Sequence, residues 1–400
     1  MDWESRYADR AKAMKASEIR ELLKLTQQPD IISFAGGLPS RESFPTVDIA
    51  EVTTHVMLTA AEEALQYGTT EGYVRLREYC AYRSKKDGID TSEDNVVIVS
   101  GSQQGLDITS KILLNPHDQV IVEAPSYIGG LGAIRTYQPD ISSVLMDDEG
   151  LITDLLEEKI KQMEKKPKFV YAIPTFQNPA GVTMPEKRRK ALVDLANDYD
   201  FLIIEDNPYG ELRYSGTPVK AIKSYDDEGR VIYMSTFSKI FSPGMRLAWV
   251  IGHEDFIRKF IIAKQSTDLC TNSFVQRILY EYCRRNLIDN HIEFIKEKYK
   301  EKRDLMLSCL EKYFPEGCSW TKPEGGLFCW ARVPEYINTK NMVGEAIKER
   351  VAYVQGSAFF VDDSGTNTMR LNFSYEPKDK IEEGMKRLGR VIQKEIDAHT

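Results

Sequence analysis

Between about residues 95 and 252 the apolar positions fall in short runs, VVIVS, QVIVEAP, KFVYAIP, FLIIED, VIYMS and RLAWVIG, separated by longer helical stretches. Runs this short and continuously apolar predict strands buried on both faces, and their alternation with helices predicts a mostly parallel sheet covered on both sides. Upstream, KASEIRELLKLT at residues 15–26 sets Ile19, Leu22, Leu23 and Leu25 along one stripe and predicts a helix. The next segment, IISFAGGLPSRESFP, is an extended loop, because Gly36, Gly37, Pro39 and Pro45 resist regular structure. Downstream, residues 255 to 311 are helical and densely charged. WTKPEGGLFCWARV, VAYVQGSAFF and TMRLNFS then predict a smaller α+β unit closed by the helix DKIEEGMKRLGRVIQKEI. No repeat or flexible linker separates the two units, so they should pack tightly, with a ligand cleft between them.

Composition narrows the function. A chain of 400 residues exceeds the usual single core, which fits a large domain with a smaller one attached. The formal charge of −8, without an acidic or basic tail, argues against non-specific nucleic-acid binding, so anionic ligands need local positive sites. The 6 cysteines show no CxxC or paired spacing, as expected in a reducing compartment, and the 5 histidines form no zinc-type cluster. The N-terminus has no apolar signal core and no run long enough to span a membrane, so a cytoplasmic protein is expected.

Candidate chemistry sits where the predicted strands end, which is where open α/β sheets bind ligands. After VVIVS, Gly101 allows a sharp turn and Ser102 can cap a helix starting near Gln103; this is a phosphate cradle or an ordinary capped helix. After QVIVEAP, Tyr127 can stack on a planar heterocycle or wedge at a domain rim. In AIPTFQNPAG, Gln177 and Asn178 can donate to a phenolate oxygen or close an Asx turn. FLIIEDNPY puts Asp206 where a carboxylate is costly without a cationic partner, with Tyr209 three residues on. STFSKIFSPGMR puts Lys239 at a strand exit among Ser235, Thr236 and Ser238, with Arg246 following. Lys239 is a solvated loop lysine or a desolvated amine open to imine formation. Together these groups match the edges of one molecule, pyridoxal 5′-phosphate: phosphate, planar ring, basic ring nitrogen, phenolate oxygen and aldehyde.

The ordered motifs SGSQQGLD, EAPSY, PTFQNPAGVTM, EDNPYGELRY, TFSKIFSPGMR and MRLNFS resemble the fold-type I pyridoxal-phosphate aminotransferases of class I/II along nearly the whole chain. ASEIRELLKL and ISFAGGLP are similar to the group of 2-aminoadipate, kynurenine/aminoadipate and archaeal aromatic aminotransferases. The resemblance implies a large domain with a mostly parallel seven-stranded sheet sandwiched by helices, residues 46–290, and a small α+β domain, residues 291–400. Residues 1–45 would join the small domain as N-terminal helix, substrate loop and lid.

The resemblance also implies site roles. Lys239 would carry the cofactor as a Schiff base, Asp206 would pair with the ring nitrogen and Tyr127 would stack on the ring. Asn178 and Tyr209 would bond the phenolate oxygen, and Ser102, Gln103, Thr236, Ser238 and Arg246 would surround the phosphate. Tyr67 would reach the phosphate of a neighbouring subunit in a homodimer. Arg370 would hold the substrate α-carboxylate as a bidentate pair, with Gly37 and Asn178 beside it. Arg20 would turn toward a distal carboxylate, though on its own a solvated helix arginine paired with nearby Glu residues fits as well. The substrates implied are L-amino acids and 2-oxo acids such as 2-oxoglutarate, in ping-pong turnover. The chain departs from the family's common EDDPY by carrying Asn207, and from a frequent serine by carrying Thr236.

Two rivals are separable. A β-lyase or decarboxylase would use the same cofactor but would not convert it to pyridoxamine phosphate with glutamate alone. An effector-sensing regulator would need a DNA-binding helix-turn-helix, and only about thirty residues, without a basic recognition helix, precede ISFAGGLP.

Overall fold

The computed structural model describes residues 1–12, 14 and 30–399. The helix expected over 15–26, and Arg20 with it, lie outside the described residues. In chain order the strands are β1 Ile32–Ser33, β2 Val96–Val99, β3 Gln119–Ala124, β4 Asp140–Asp147, β5 Gly150–Leu151, β6 Phe169–Ala172, β7 Leu202–Asp206, β8 Val231–Thr236 and β9 Ala248–Ile251. They continue as β10 Ser319–Trp320, β11 Phe328–Arg332, β12 Val351–Ala352, β13 Val354–Gln355 and β14 Thr368–Asn372. Helices used below are α1 Ser102–Leu113, α2 Ile128–Arg135, α3 Glu254–Asp268 and α4 Lys378–His399.

The large sheet runs β2-β9-β8-β7-β6-β3-β4-β5. Its interior pairs β8–β7, β7–β6, β6–β3 and β3–β4 are parallel, as the uninterrupted apolar runs predict. An eighth strand joins the seven expected: β5 is a two-residue hairpin return antiparallel to β4, made possible by the turn at Gly150, φ 82°. Successive residues feed opposite faces, so Val97 and Val99 pack in one cluster while Val96 and Ile98 pack in another.

A second sheet, β10-β11-β14-β13, is antiparallel and forms its own core with α4. β1 pairs in parallel with β12, Ile32 opposite Val351, which ties the start of the ISFAGGLP loop to the C-terminal part of the chain. No helix among the described residues is long and apolar enough to cross a membrane.

Strand direction explains the site's position. β3, β6, β7 and β8 are mutually parallel, and β2 shares their direction because β9 runs antiparallel to both β8 and β2. Five strand exits therefore open on one edge of the sheet, and Arg246, just before β9 begins, lies at that edge too.

Candidate active site

A cavity of 1730 Å³ opens at this edge, between the large sheet and β14. Gly37, Ser102, Gln103, Tyr127, Asn178, Asp206, Tyr209, Thr236, Ser238, Lys239, Arg246 and Arg370 line it. Gln177 and Ser235 do not: Gln177 Nε2 donates to Glu123 Oε2 and to the Pro125 carbonyl, and Ser235 Oγ donates to the Asn207 carbonyl. Tyr67 is 77% exposed and is not among the residues that line the cavity.

Asp206 ends β7 and is 2% exposed. Its Oδ2 accepts a hydrogen bond from Tyr171 Oη at 2.9 Å, while its Oδ1 is buried at the cavity wall without a partner. Burial pushes its pKa up to about 6, against the lowering effect of the Tyr171 bond and the Lys239 charge. A buried carboxylate with a free oxygen calls for a cationic hydrogen-bond donor.

Lys239, in the turn after β8, donates from Nζ to the Gly37 carbonyl at 2.9 Å. Its pKa is lowered to about 8, first by desolvation and then by the cations Arg370 and Arg246, with Asp206 opposing. The amine is thus free in a useful fraction at neutral pH, as nucleophilic attack requires.

At the α1 end, Gly101 turns the chain with φ 78°, and a Cβ there would collide with the Arg246 guanidinium. Arg246 donates to the Ser100 carbonyl at 3.3 Å. Ser102 Oγ at the helix start is buried without a partner. Thr236 Oγ1 accepts from the Ser238 amide at 3.0 Å, which holds both hydroxyls on the same wall. An arginine, three hydroxyls and a helix N-terminus make an anion site. Gln103 lines the cavity beside them while its Nε2 donates to the Gly129 carbonyl at 2.7 Å.

Arg370, on β14, is 5% exposed. Its Nη1 donates to Asn178 Oδ1 at 2.9 Å and its Nη2 to the Ala35 carbonyl at 2.7 Å. The guanidinium carbon lies 4.3 Å from the Phe328 ring centre and 5.0 Å from that of Phe359, a stacking arrangement that fixes its plane. Burial lowers its pKa to about 10, so it stays charged at neutral pH, and its Nε has no partner. Asn178 Nδ2 in turn donates to Tyr209 Oη at 3.3 Å.

The unsatisfied atoms fit pyridoxal phosphate. Ser102 Oγ sits at the anion end and Asp206 Oδ1 where a basic ring nitrogen would be paired, with Tyr127 and Lys239 in the same wall. Tyr171, which bonds Asp206, is a residue that the sequence reading did not single out. As a strand tyrosine it looks like core, yet it pairs with Ile204 on β7, so its ring reaches Asp206 two positions further on the same face. Gly130 on α2 makes room for it, since a Cβ there would stand 2.8 Å from the Tyr171 hydroxyl.

Comparison with known proteins agrees with this geometry. The family model described as aminotransferase class I and II matches residues 29–388. The chain is 53% identical to aromatic-amino-acid aminotransferase 1 of Thermococcus litoralis, over 99% of this chain and 96% of that protein. It is 36% identical to the 2-aminoadipate transaminase of Thermus thermophilus, over 98% of each. The crystal structure of Pyrococcus horikoshii kynurenine aminotransferase in complex with PMP superposes with a TM-score of 0.96 at 51% identity, covering 99% of this chain and 98% of that one. A family match across most of the chain, together with a strand-exit cavity suited to pyridoxal phosphate, places this protein among the class I and II aminotransferases.

Proposed function

We propose that this aminotransferase moves amino groups between a broad set of L-amino acids, aromatic and 2-aminoadipate-like ones included, and 2-oxoglutarate. The carrying observation is the pairing, in one cavity, of a desolvated Lys239 amine with a buried Asp206 oxygen that lacks a partner. Similarity to the aromatic and 2-aminoadipate enzymes supports the substrate range.

When bound, pyridoxal phosphate supplies an aldehyde for the amino group and a ring that withdraws electrons from Cα. Lys239 would carry the cofactor, and Asp206 would keep a proton on the ring nitrogen, oriented by Tyr171. Tyr127 would cover the ring, Asn178 and Tyr209 would bond the phenolate oxygen, and Ser102, Gln103, Thr236, Ser238 and Arg246 would hold the phosphate. Arg370 would clamp the substrate α-carboxylate beside Gly37, setting Cα within reach of Lys239. Lys239 Nζ, freed when the substrate amine takes its place, would then take the Cα proton. Half-reactions of this kind give ping-pong kinetics. Arg20 as selector of the distal substrate group remains part of this reading.

The same reading includes a homodimer in which Tyr67 serves the neighbouring site. It is supported by Tyr67 lying clear of its own cavity and by exposed Val47, Leu58 and Leu65 on the same stretch of chain. Residues 1–45 and 291–400 as a small domain against 46–290 are supported by the β1–β12 pairing. Six free cysteines support a cytoplasmic setting.

The test is a panel of amino donors against 2-oxoglutarate, with glutamate alone as first incubation. Conversion of the cofactor to pyridoxamine phosphate is expected, and its absence in the presence of intact cofactor would refute transamination. Borohydride reduction followed by peptide mass analysis should place the cofactor on Lys239.

A further inference from the structure

Behind the anion end of the cavity lies a chain of side chains that does not line it. Gln104 Oε1 accepts the Ser100 amide at 2.7 Å, and Gln104 Nε2 donates to Asp268 Oδ2 at 2.8 Å. Asp268 Oδ1 accepts from Lys264 Nζ at 2.9 Å, and Lys264 is fully buried. A buried lysine paired with one carboxylate one helical turn away is an expensive feature to keep unless it fixes something.

What it fixes is the direction of an amide. A carboxylate only accepts hydrogen bonds, so Asp268 obliges Gln104 to turn its NH2 outward and its oxygen toward Ser100. Ser100 is then held at both of its backbone polar groups, its N–H by Gln104 and its carbonyl by Arg246. Gly101 follows at φ 78°, with its N–H on the Val99 carbonyl at 2.9 Å and its carbonyl on the Gln104 amide at 3.0 Å, so the side-chain bonds to Ser100 add to a turn that its own backbone already closes. The chain just after Asp268 is tied down by hydrogen bonds. The next carbonyl, of Leu269, accepts the Thr70 hydroxyl at 2.7 Å, and Thr271 Oγ1 donates to the Ile98 carbonyl at 3.1 Å. Lys264 also neutralises the carboxylate, which would otherwise repel an anion bound on the far side of the turn.

We propose that Lys264, Asp268 and Gln104 are positioning residues for the phosphate-binding turn, fixing Ser100 at the start of the turn so that Ser102 and the first amides of α1 face the phosphate. The proposal rests on the phosphate assignment of that end of the cavity.

The test compares two ligands that differ only in the phosphate. Full-length holoenzyme is dialysed to equilibrium against graded pyridoxal 5′-phosphate, and in parallel against pyridoxal, and bound ligand is read by absorbance. Variants are Gln104→Leu, Gln104→Glu and the double variant Lys264→Met/Asp268→Leu, which removes both partners together so that the buried Lys264 is not left without its carboxylate. The expected result is a dissociation constant for pyridoxal 5′-phosphate raised on the order of tenfold, the scale of one hydrogen bond, with that for pyridoxal unchanged. Equal weakening of both ligands would mean a merely structural role and overturn the relay, as would unchanged pyridoxal 5′-phosphate binding. A wild type that binds the two ligands equally would instead overturn the phosphate assignment.

Discussion

Asp206→Asn should make the cofactor-free protein more stable and the loaded enzyme worse. In the empty chain the Asp206 carboxyl titrates at about 6 instead of 3.8, with desolvation as the main cause. A carboxyl whose folded pKa is raised holds its proton in the folded state while the unfolded chain has lost it. Stability from this group is therefore present below pH 3.8 and declines as pH rises toward 6. Above that, the ionised carboxylate costs about 3 kcal/mol, since each unit is worth roughly 1.4 kcal/mol. An asparagine keeps an oxygen for the Tyr171 hydroxyl and has no charge to bury.

The assay is urea unfolding of both proteins, stripped of cofactor, between pH 5 and 8. The variant's advantage should grow by roughly 1 to 1.5 kcal/mol from pH 5 to pH 7.5 and then level off. Over the same range its affinity for pyridoxal phosphate should fall, because the ring nitrogen has lost its anionic partner. A variant less stable than wild type at pH 7.5, by the same margin at pH 5, would refute the claim that Asp206 is held at a cost. Such a cost, borne in the empty chain and relieved on loading, is how a site prepared for a cation differs from an ordinary core.

Four further outcomes follow. Tyr171→Phe removes the bond that lowers the Asp206 pKa, so the pH at which that stability is lost should move upward in the same titration; no movement would remove Tyr171 from the site. In the empty protein the rate at which Lys239 attaches to an added aldehyde should rise with pH and level off above about 8, whereas a solvated lysine would keep gaining through pH 10. Arg370→Lys should lower kcat/KM for amino donors about 10- to 100-fold, the scale of one lost charge-assisted bond, with cofactor affinity unchanged; restoration of activity by lysine would refute the bidentate clamp. Asn207→Asp should destabilise the protein at pH 8 by about 1 to 3 kcal/mol and much less at pH 5, because it sets a second carboxylate against Asp87, whose pKa is already pushed up to about 6 by burial.

How much of this was legible depended on whether a residue's meaning was local. The strand runs announced themselves, because a strand buried on both faces must be apolar throughout, and the polar residues that end each run had to lie at one edge once the strands were parallel. That is why Ser102, Tyr127, Asn178, Asp206 and Lys239 could be collected into one cavity from their positions alone. Tyr171 could not, because its hydroxyl matters only through the β6–β7 register, which no local pattern states. Lys264 and Asp268 read as a routine i,i+4 helix pair; that the lysine is fully buried, and that the carboxylate faces Gln104 some 164 positions earlier, belongs to the packing of α3 on α1.

Position 207 shows the same limit from the other side. Read locally, asparagine in place of the family's frequent aspartate looks like a change of charge beside Asp206 and little more. In the fold its Nδ2 donates to Tyr233 Oη at 3.1 Å and lies 3.4 Å from Asp87 Oδ2, and the Tyr233 hydroxyl donates to the same Asp87 oxygen at 2.7 Å. An acceptor-only side chain at 207 would face a carboxylate with no proton between them, whereas an amide supplies one. The departure is thus the neutral solution to a carboxylate contributed from 120 residues away. It leaves Asp206 as the acid of this motif with an oxygen free to meet the cofactor.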